Sequence, residues 1–150
     1  MPDMSWAALF FSREGRIGRQ AWWGGMIVLF VINVVSIFVA AALFEYALAF
    51  GVAVLVLQLL YLYPAVCVSA KRFQDRDRPG ALAWIPPLLA VLLSVFDLID
   101  LGEGSTLFVL LNLLLMAASI WLLIELGFLR GSVGANQYGS DPLASAGAMH

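Results

Sequence analysis

Four stretches of this chain carry no charged residue: Gln20–Phe44, Tyr46–Ala70, Pro79–Phe96 and Gly104–Ile124, of 25, 25, 18 and 21 residues. A bilayer core about 30 Å thick takes roughly 20 apolar residues of helix at 1.5 Å each. Two runs exceed that length, the fourth matches it and the third falls slightly short. Together they hold 89 of the 150 residues, so all 18 charges lie in the other 61, a density of about 30%. The hydrophobic fraction of 63% and charged fraction of 12% are therefore an average over two phases. A soluble globular domain, a disordered chain and a disulfide scaffold are excluded.

The expected fold is all-α: a polytopic membrane protein with four transmembrane helices over about 21–44, 47–70, 81–98 and 105–128. One membrane domain over 1–150 is expected, because four spans and short ends use up the chain. The apolar stretch from Ala21 to Phe44 far exceeds a 7–15 residue signal core and reads as a retained span. Residues Met4–Phe11 are apolar but too short to span, and suit a short N-terminal interfacial helix.

The charges are sorted by side. Arg13, Arg16 and Arg19 precede the first run; Lys71, Arg72, Arg76 and Arg78 follow the second; Arg130 follows the fourth. The two intervening loops hold only Glu45, Asp97, Asp100 and Glu103. All eight basic residues thus fall on one side of a four-span chain, and the positive-inside rule makes that side cytoplasmic. Segments 1–20, 71–80 and 129–150 are expected inside, with both termini cytoplasmic.

Trp22 and Trp23 are expected at headgroup depth, where indole rings favour the interface. The third run admits two readings around Pro86-Pro87: a helix kinked there, or a loop to Trp84 with the prolines in the first helical turn. Cys67 is expected as a small core residue.

Candidate functional residues form two groups. Asn33, Gln58 and Asn112 lie near the middle of their runs. Such amides either hydrogen bond between helices or line a polar midplane site for a solute. The second group is the inner-side charges, in which Arg and Asp alternate. Two readings stand: a salt-bridged cytoplasmic latch joining the N-terminal segment, middle loop and tail, or a patch for anionic headgroups or phosphate. No catalytic residue, cofactor or metal site is expected: one Cys and one His cannot build a zinc centre. Phosphate-binding, metalloprotease and nucleophile-elbow motifs are absent from the sequence.

Three segments together resemble the domain of unknown function 805 family. Phe11-Ser-Arg-Glu-Gly15-Arg16-Ile-Gly-Arg19-Gln-Ala-Trp22-Trp23 is similar to its opening. Ala70-Lys71-Arg72-Phe73-Gln74-Asp75 with Arg78-Pro79-Gly80 is similar to its centre. Gly131-Ser-Val-Gly134-Ala-Asn136-Gln-Tyr138-Gly139-Ser-Asp141-Pro142 is similar to its close. The resemblance implies a small multi-span protein of the bacterial inner membrane, with no established activity. It marks Gly15, Arg16, Arg19, Trp22, Arg72, Asp75, Gly80, Asn136, Gly139, Asp141 and Pro142 as signature positions. The family's central His is Gln74 here, and Ala81-Leu82 stands where it has a Trp pair.

The latch candidates are thus Gly15, Arg16, Arg19, Trp22, Arg72, Asp75, Arg76, Asn136 and Asp141. The expected function is a non-catalytic protein that meets a partner or lipid through that latch; the alternative is a small-solute transporter or channel component using Asn33, Gln58 and Asn112. The expected partners are the lipid bilayer with its anionic headgroups, and a second copy or another membrane protein; nucleic acid is not among them.

Overall fold

A computed structural model describes residues 5–44, 46–99 and 105–144. Met4, Glu45, Asp100, Glu103 and the tail beyond Ala144 lie outside the described residues. Among those described, the chain is helical and contains no strand, and four helices are long and apolar enough to cross a membrane.

Helix α1 (Trp6–Phe11) starts where the Ser5 hydroxyl accepts from the Ala8 N–H at 3.1 Å, a side-chain cap. It presses Leu9 against α3 (Ala47–Asp75), leaving Trp6 and Phe11 exposed. Helix α2 (Arg19–Leu43) packs along α3 and is tied to it by a 2.8 Å hydrogen bond between the Ser36 and Tyr61 hydroxyls. Helices α4 (Ile85–Leu98) and α5 (Thr106–Leu122) continue the sequential packing. The last span then widens into a π-helical turn, Leu123–Phe128, through which it reaches back to α2.

The helix bounds differ from the charge-based ones in an informative way. Helix α3 does not stop at Ala70; it runs five residues further, so Lys71, Arg72 and Asp75 are helical rather than looped. A helix can carry charges past its apolar run when their hydrogen bonds are met by other protein groups. The third span resolves to the second of its two readings. Residues Gly80–Trp84 form a 3₁₀ turn, and α4 begins at Ile85 with Pro86 and Pro87 in its first turn. There their missing N–H groups cost nothing.

Burial is concentrated at one end. Trp22, Val66, Val68, Phe73 and Leu126 form the core, with Cys67 also fully buried. Along the spans large apolar side chains face outward, Phe30 at 68% and Phe38 at 72% exposure. No residue of the α5 apolar window is buried inside the protein. Lipid tails are the medium in which such outward faces cost nothing. Trp22 departs from its expected interfacial place. It is 2% exposed, with Nε1 donating to Ser69 Oγ at 3.4 Å, so it is an interhelical core residue. Trp23, half-buried beside it edge-on at 5.1 Å, donates instead to the Gly127 carbonyl at 3.1 Å.

Candidate functional site

The buried end is organised around one carboxylate. Asp75 is the last residue of α3, one turn beyond Arg72, so the two side chains share a helix face. Arg72 Nη1 donates to Asp75 Oδ2. The other oxygen, Oδ1, accepts from both Nε and Nη2 of Arg16 at 3.1 Å. Arg16 comes from the link between α1 and α2, where Gly15 turns the chain at φ +99°, a conformation other residues resist. The side chains of Arg16, Arg72 and Asp75 are 1%, 1% and 5% exposed.

Two guanidiniums and one carboxylate leave a net positive charge out of water, which is costly unless hydrogen bonds absorb it. The carbonyls of the chain's last segment do so. Arg16 Nη1 donates to the Gly134 and Gly139 carbonyls at 2.7 and 3.1 Å, and Nη2 to Ser132 O at 2.8 Å. A guanidinium has five N–H donors, and those of Arg16 are all used. Arg72 donates to Leu126 O at 2.8 Å and Leu129 O at 2.5 Å. Arg19 reaches Phe128 O at 3.1 Å, and Arg76 reaches Arg130 O at 2.6 Å.

The acceptors of Arg72 and Arg19, at Leu126, Phe128 and Leu129, share an origin. The last carbonyls of a helix have no partner within it, and they carry the negative end of its dipole. The π-helical end of the last span therefore offers a cluster of orphan carbonyls, and the arginines of the other two segments fill it. Glu125 on that turn adds a carboxylate, 2.7 Å from Arg76 Nε and 3.0 Å from Arg78 Nε.

The tail is a small folded unit built from its own turn residues. Asn136 and Gly139 pair backbone to backbone, and Asn136 Oδ1 accepts from the Tyr138 N–H at 2.9 Å. Asn136 Nδ2 donates to Gln74 O and to Ser132 Oγ, both at 2.9 Å. Ser132 closes the end of α3, its N–H and hydroxyl donating to Asp75 O at 2.8 and 3.0 Å. Asp141 forms no ion pair among the described residues. Its oxygens accept from the Gly134 and Leu143 N–H groups, each at 2.9 Å. Those two hydrogen bonds hold its carboxyl below the usual carboxylate range.

Of the nine latch candidates, the structure thus gathers Arg16, Arg72 and Asp75 into one buried cluster. Arg19, Arg76 and Asn136 sit around it, Gly15 shapes the approach, Trp22 packs in the neighbouring core, and Asp141 braces the tail. The three amides are not brought together. Gln58 accepts from the Ser94 hydroxyl at 2.9 Å, Asn112 donates to Phe108 O of its own helix, and Asn33 makes no side-chain hydrogen bond among the described residues.

Lys71 is a site residue that sequence reasoning did not single out. It is fully buried, and its ammonium donates to Leu9 O and Ser12 O at 2.7 Å and to Ala8 O. It caps the C-terminal end of α1 from a different helix. The sequence hint is that α1 has no basic residue in its own last turn. Gly131 was also missed as a site residue: its missing side chain makes the room that Asp75 occupies. Among the described residues no group of His, Cys, Asp and Glu could hold a metal.

A family model described as "Protein of unknown function (DUF805)" matches residues 10–140, which includes Arg16, Arg72 and Asp75. The chain is also similar to the uncharacterized protein YiiR of Escherichia coli strain K12. The two are 33% identical over 144 residues, covering 87% of this chain and 86% of that protein. YiiR of Escherichia coli O157:H7 matches to the same extent. No solved structure matches. With most of its length under the family model and the buried cluster inside the matched region, the chain belongs to the DUF805 family of proteins of unknown function.

Proposed function

We propose that this is a non-catalytic, multi-pass protein of the bacterial inner membrane, with both termini in the cytoplasm, whose latched cytoplasmic face meets a partner protein or lipid. The observation that carries the reading is the saturation of Arg16. All five of its donors end on protein acceptors, so it is spent on joining three chain segments rather than kept for a substrate phosphate. The carboxylate between the arginines is equally occupied, both of its oxygens accepting from guanidinium donors. Support for the orientation comes from the gathering of all three basic segments at one end of the bundle. The transporter alternative has no observation in its favour, since Asn33, Gln58 and Asn112 do not converge.

Two measurements test this. In Cys67→Ser spheroplasts, a membrane-impermeant maleimide should label Tyr46→Cys directly, and Ser140→Cys only after permeabilisation; the reverse pattern inverts the topology. Delipidated wild-type protein should regain thermal stability when inner-membrane lipids are returned, or retain a stoichiometric protein partner when purified without delipidation. A protein indifferent to lipid and monodisperse without a partner would sink the reading.

A further inference from the structure

Beside the latch, on the other flank of the α3 terminus, lies a cleft of about 560 Å³ that none of the latch residues lines. Its walls are the link after α1, the last turns of α3 and the 3₁₀ turn before α4, and they present Ser12, Arg13, Glu14, Tyr63, Gln74 and Trp84. Three features mark it. Gln74 is one of its lining residues, and just beneath the wall its side-chain oxygen is buried with no hydrogen-bond partner among the described residues. A buried acceptor left unpaired is costly, and it calls for a donor. Arg13 and Glu14 are adjacent, exposed and in no ion pair among the described residues, whereas Arg16, Arg72, Arg76 and Arg78 are all paired. Tyr63 and Trp84 supply the aromatic wall typical of headgroup depth.

We propose that this cleft binds a phosphoethanolamine group, a phosphate carrying a primary ammonium, on a membrane phospholipid or free in solution. The proposal rests on the orientation given above, which puts the cleft at the cytoplasmic headgroup layer. The chemistry selects the ligand. Arg13 is a forked donor suited to phosphate oxygens. Glu14 and the Gln74 oxygen are acceptors that ask for N–H donors on a cation, and the Trp84 ring offers a cation a π face. A quaternary ammonium has charge but no N–H. A glycerol headgroup has donors but no charge. Only a primary ammonium answers both acceptors.

The test uses the full-length protein in detergent with phosphatidylethanolamine, phosphatidylcholine and phosphatidylglycerol at equal mole fraction, bound lipid being counted by native mass spectrometry. Phosphatidylethanolamine should be retained about fivefold over each of the others, the value of one charge contact near a membrane surface. Glu14→Gln and Gln74→Leu should each erase the preference over phosphatidylcholine. Arg13→Gln should lower retention of all three lipids. Because Arg13 and Glu14 are exposed, their variants should melt like the wild type, which keeps the result readable. Soluble phosphoethanolamine that displaces the lipid identifies the headgroup as the whole ligand; a preference it cannot displace assigns the site to the intact lipid. Equal retention of the three lipids, a preference over phosphatidylcholine that survives Glu14→Gln, or unchanged retention in Arg13→Gln overturns the proposal. If cysteine labelling still gives the expected topology, that failure leaves the functional reading standing.

Discussion

Gly131 lies directly against the carboxylate of Asp75: a Cβ at that position would stand 2.7 Å from Cγ and 3.0 Å from Oδ1. Neither side can give way cheaply, because Asp75 is fixed by both Arg16 and Arg72 and residue 132 is bonded to the end of α3.

Gly131→Ala should therefore displace the carboxylate from its arginines. Breaking a buried ion pair costs about 3–5 kcal/mol, and Gly131→Ala should approach that loss in a thermal melt in micelles. Gly24 is the control, since it lies inside α2 and a Cβ there meets nothing within 4 Å. Gly24→Ala should be neutral or stabilising by up to ~1 kcal/mol, from helix propensity alone. Similar melting of the two variants would contradict this account.

Arg72→Ala should reduce the yield of folded protein sharply. It leaves the carbonyls of Leu126 and Leu129 without their Arg72 donor and Asp75 Oδ2 without its partner. Arg130 is exposed and offers the cluster only its backbone oxygen. Arg130→Ala should stay within about 0.5 kcal/mol of wild type. Monodisperse yield from matched membrane preparations reads the difference.

Lys71→Met keeps the buried stem but removes the cation at the end of α1. A charge at a partly buried helix C-terminus is worth up to ~2 kcal/mol, so α1 should loosen before the spans do. Hydrogen exchange across residues 6–12 should accelerate while exchange in α3 holds. Uniform acceleration across both would mean that Lys71 supports the whole bundle rather than α1.

The tail should respond to acid through Asp141. Its carboxyl is held below the ordinary range by two backbone N–H donors, so the charged form is favoured in the folded state. The stabilisation is therefore complete above the unfolded carboxylate pKa, and it is lost as pH falls through the lower folded value. Protection of the Gly134 and Leu143 amides should fall over that acidic window and stay flat near neutrality. In Asp141→Asn the acid-dependent step should vanish; an unchanged profile would assign the loss to another group.

The four spans were legible in the sequence because lipid tolerates charge so poorly that charge-free runs mark them. The same rule misplaced the end of α3. Lys71 and Arg72 look like the start of a solvated loop until the carbonyls of Leu9 and Leu126 are found beside them, and those lie 62 and 54 positions away. Trp22 was read as an interfacial anchor because neighbouring indoles look alike in sequence. Only packing against Ser69 separates it from Trp23. Asp141 looks like a natural partner for an arginine, yet turn geometry gives it two closer N–H groups in its own segment. In each case the missing information was which group the fold sets beside the side chain, a remote carbonyl, a neighbouring hydroxyl or a turn amide, and composition and spacing do not carry it.

Arg16 depends on acceptors at residues 132, 134 and 139. A ribosome delivers the arginine more than a hundred residues before it delivers those oxygens. During that interval Asp75 can meet two of its five donors, and the other three have only water or the membrane surface to answer them. The closing bonds thus report that translation has run to residue 139. A chain released short of that point carries a guanidinium with donors still unmet at the seam of its helices, which distinguishes it physically from a finished one.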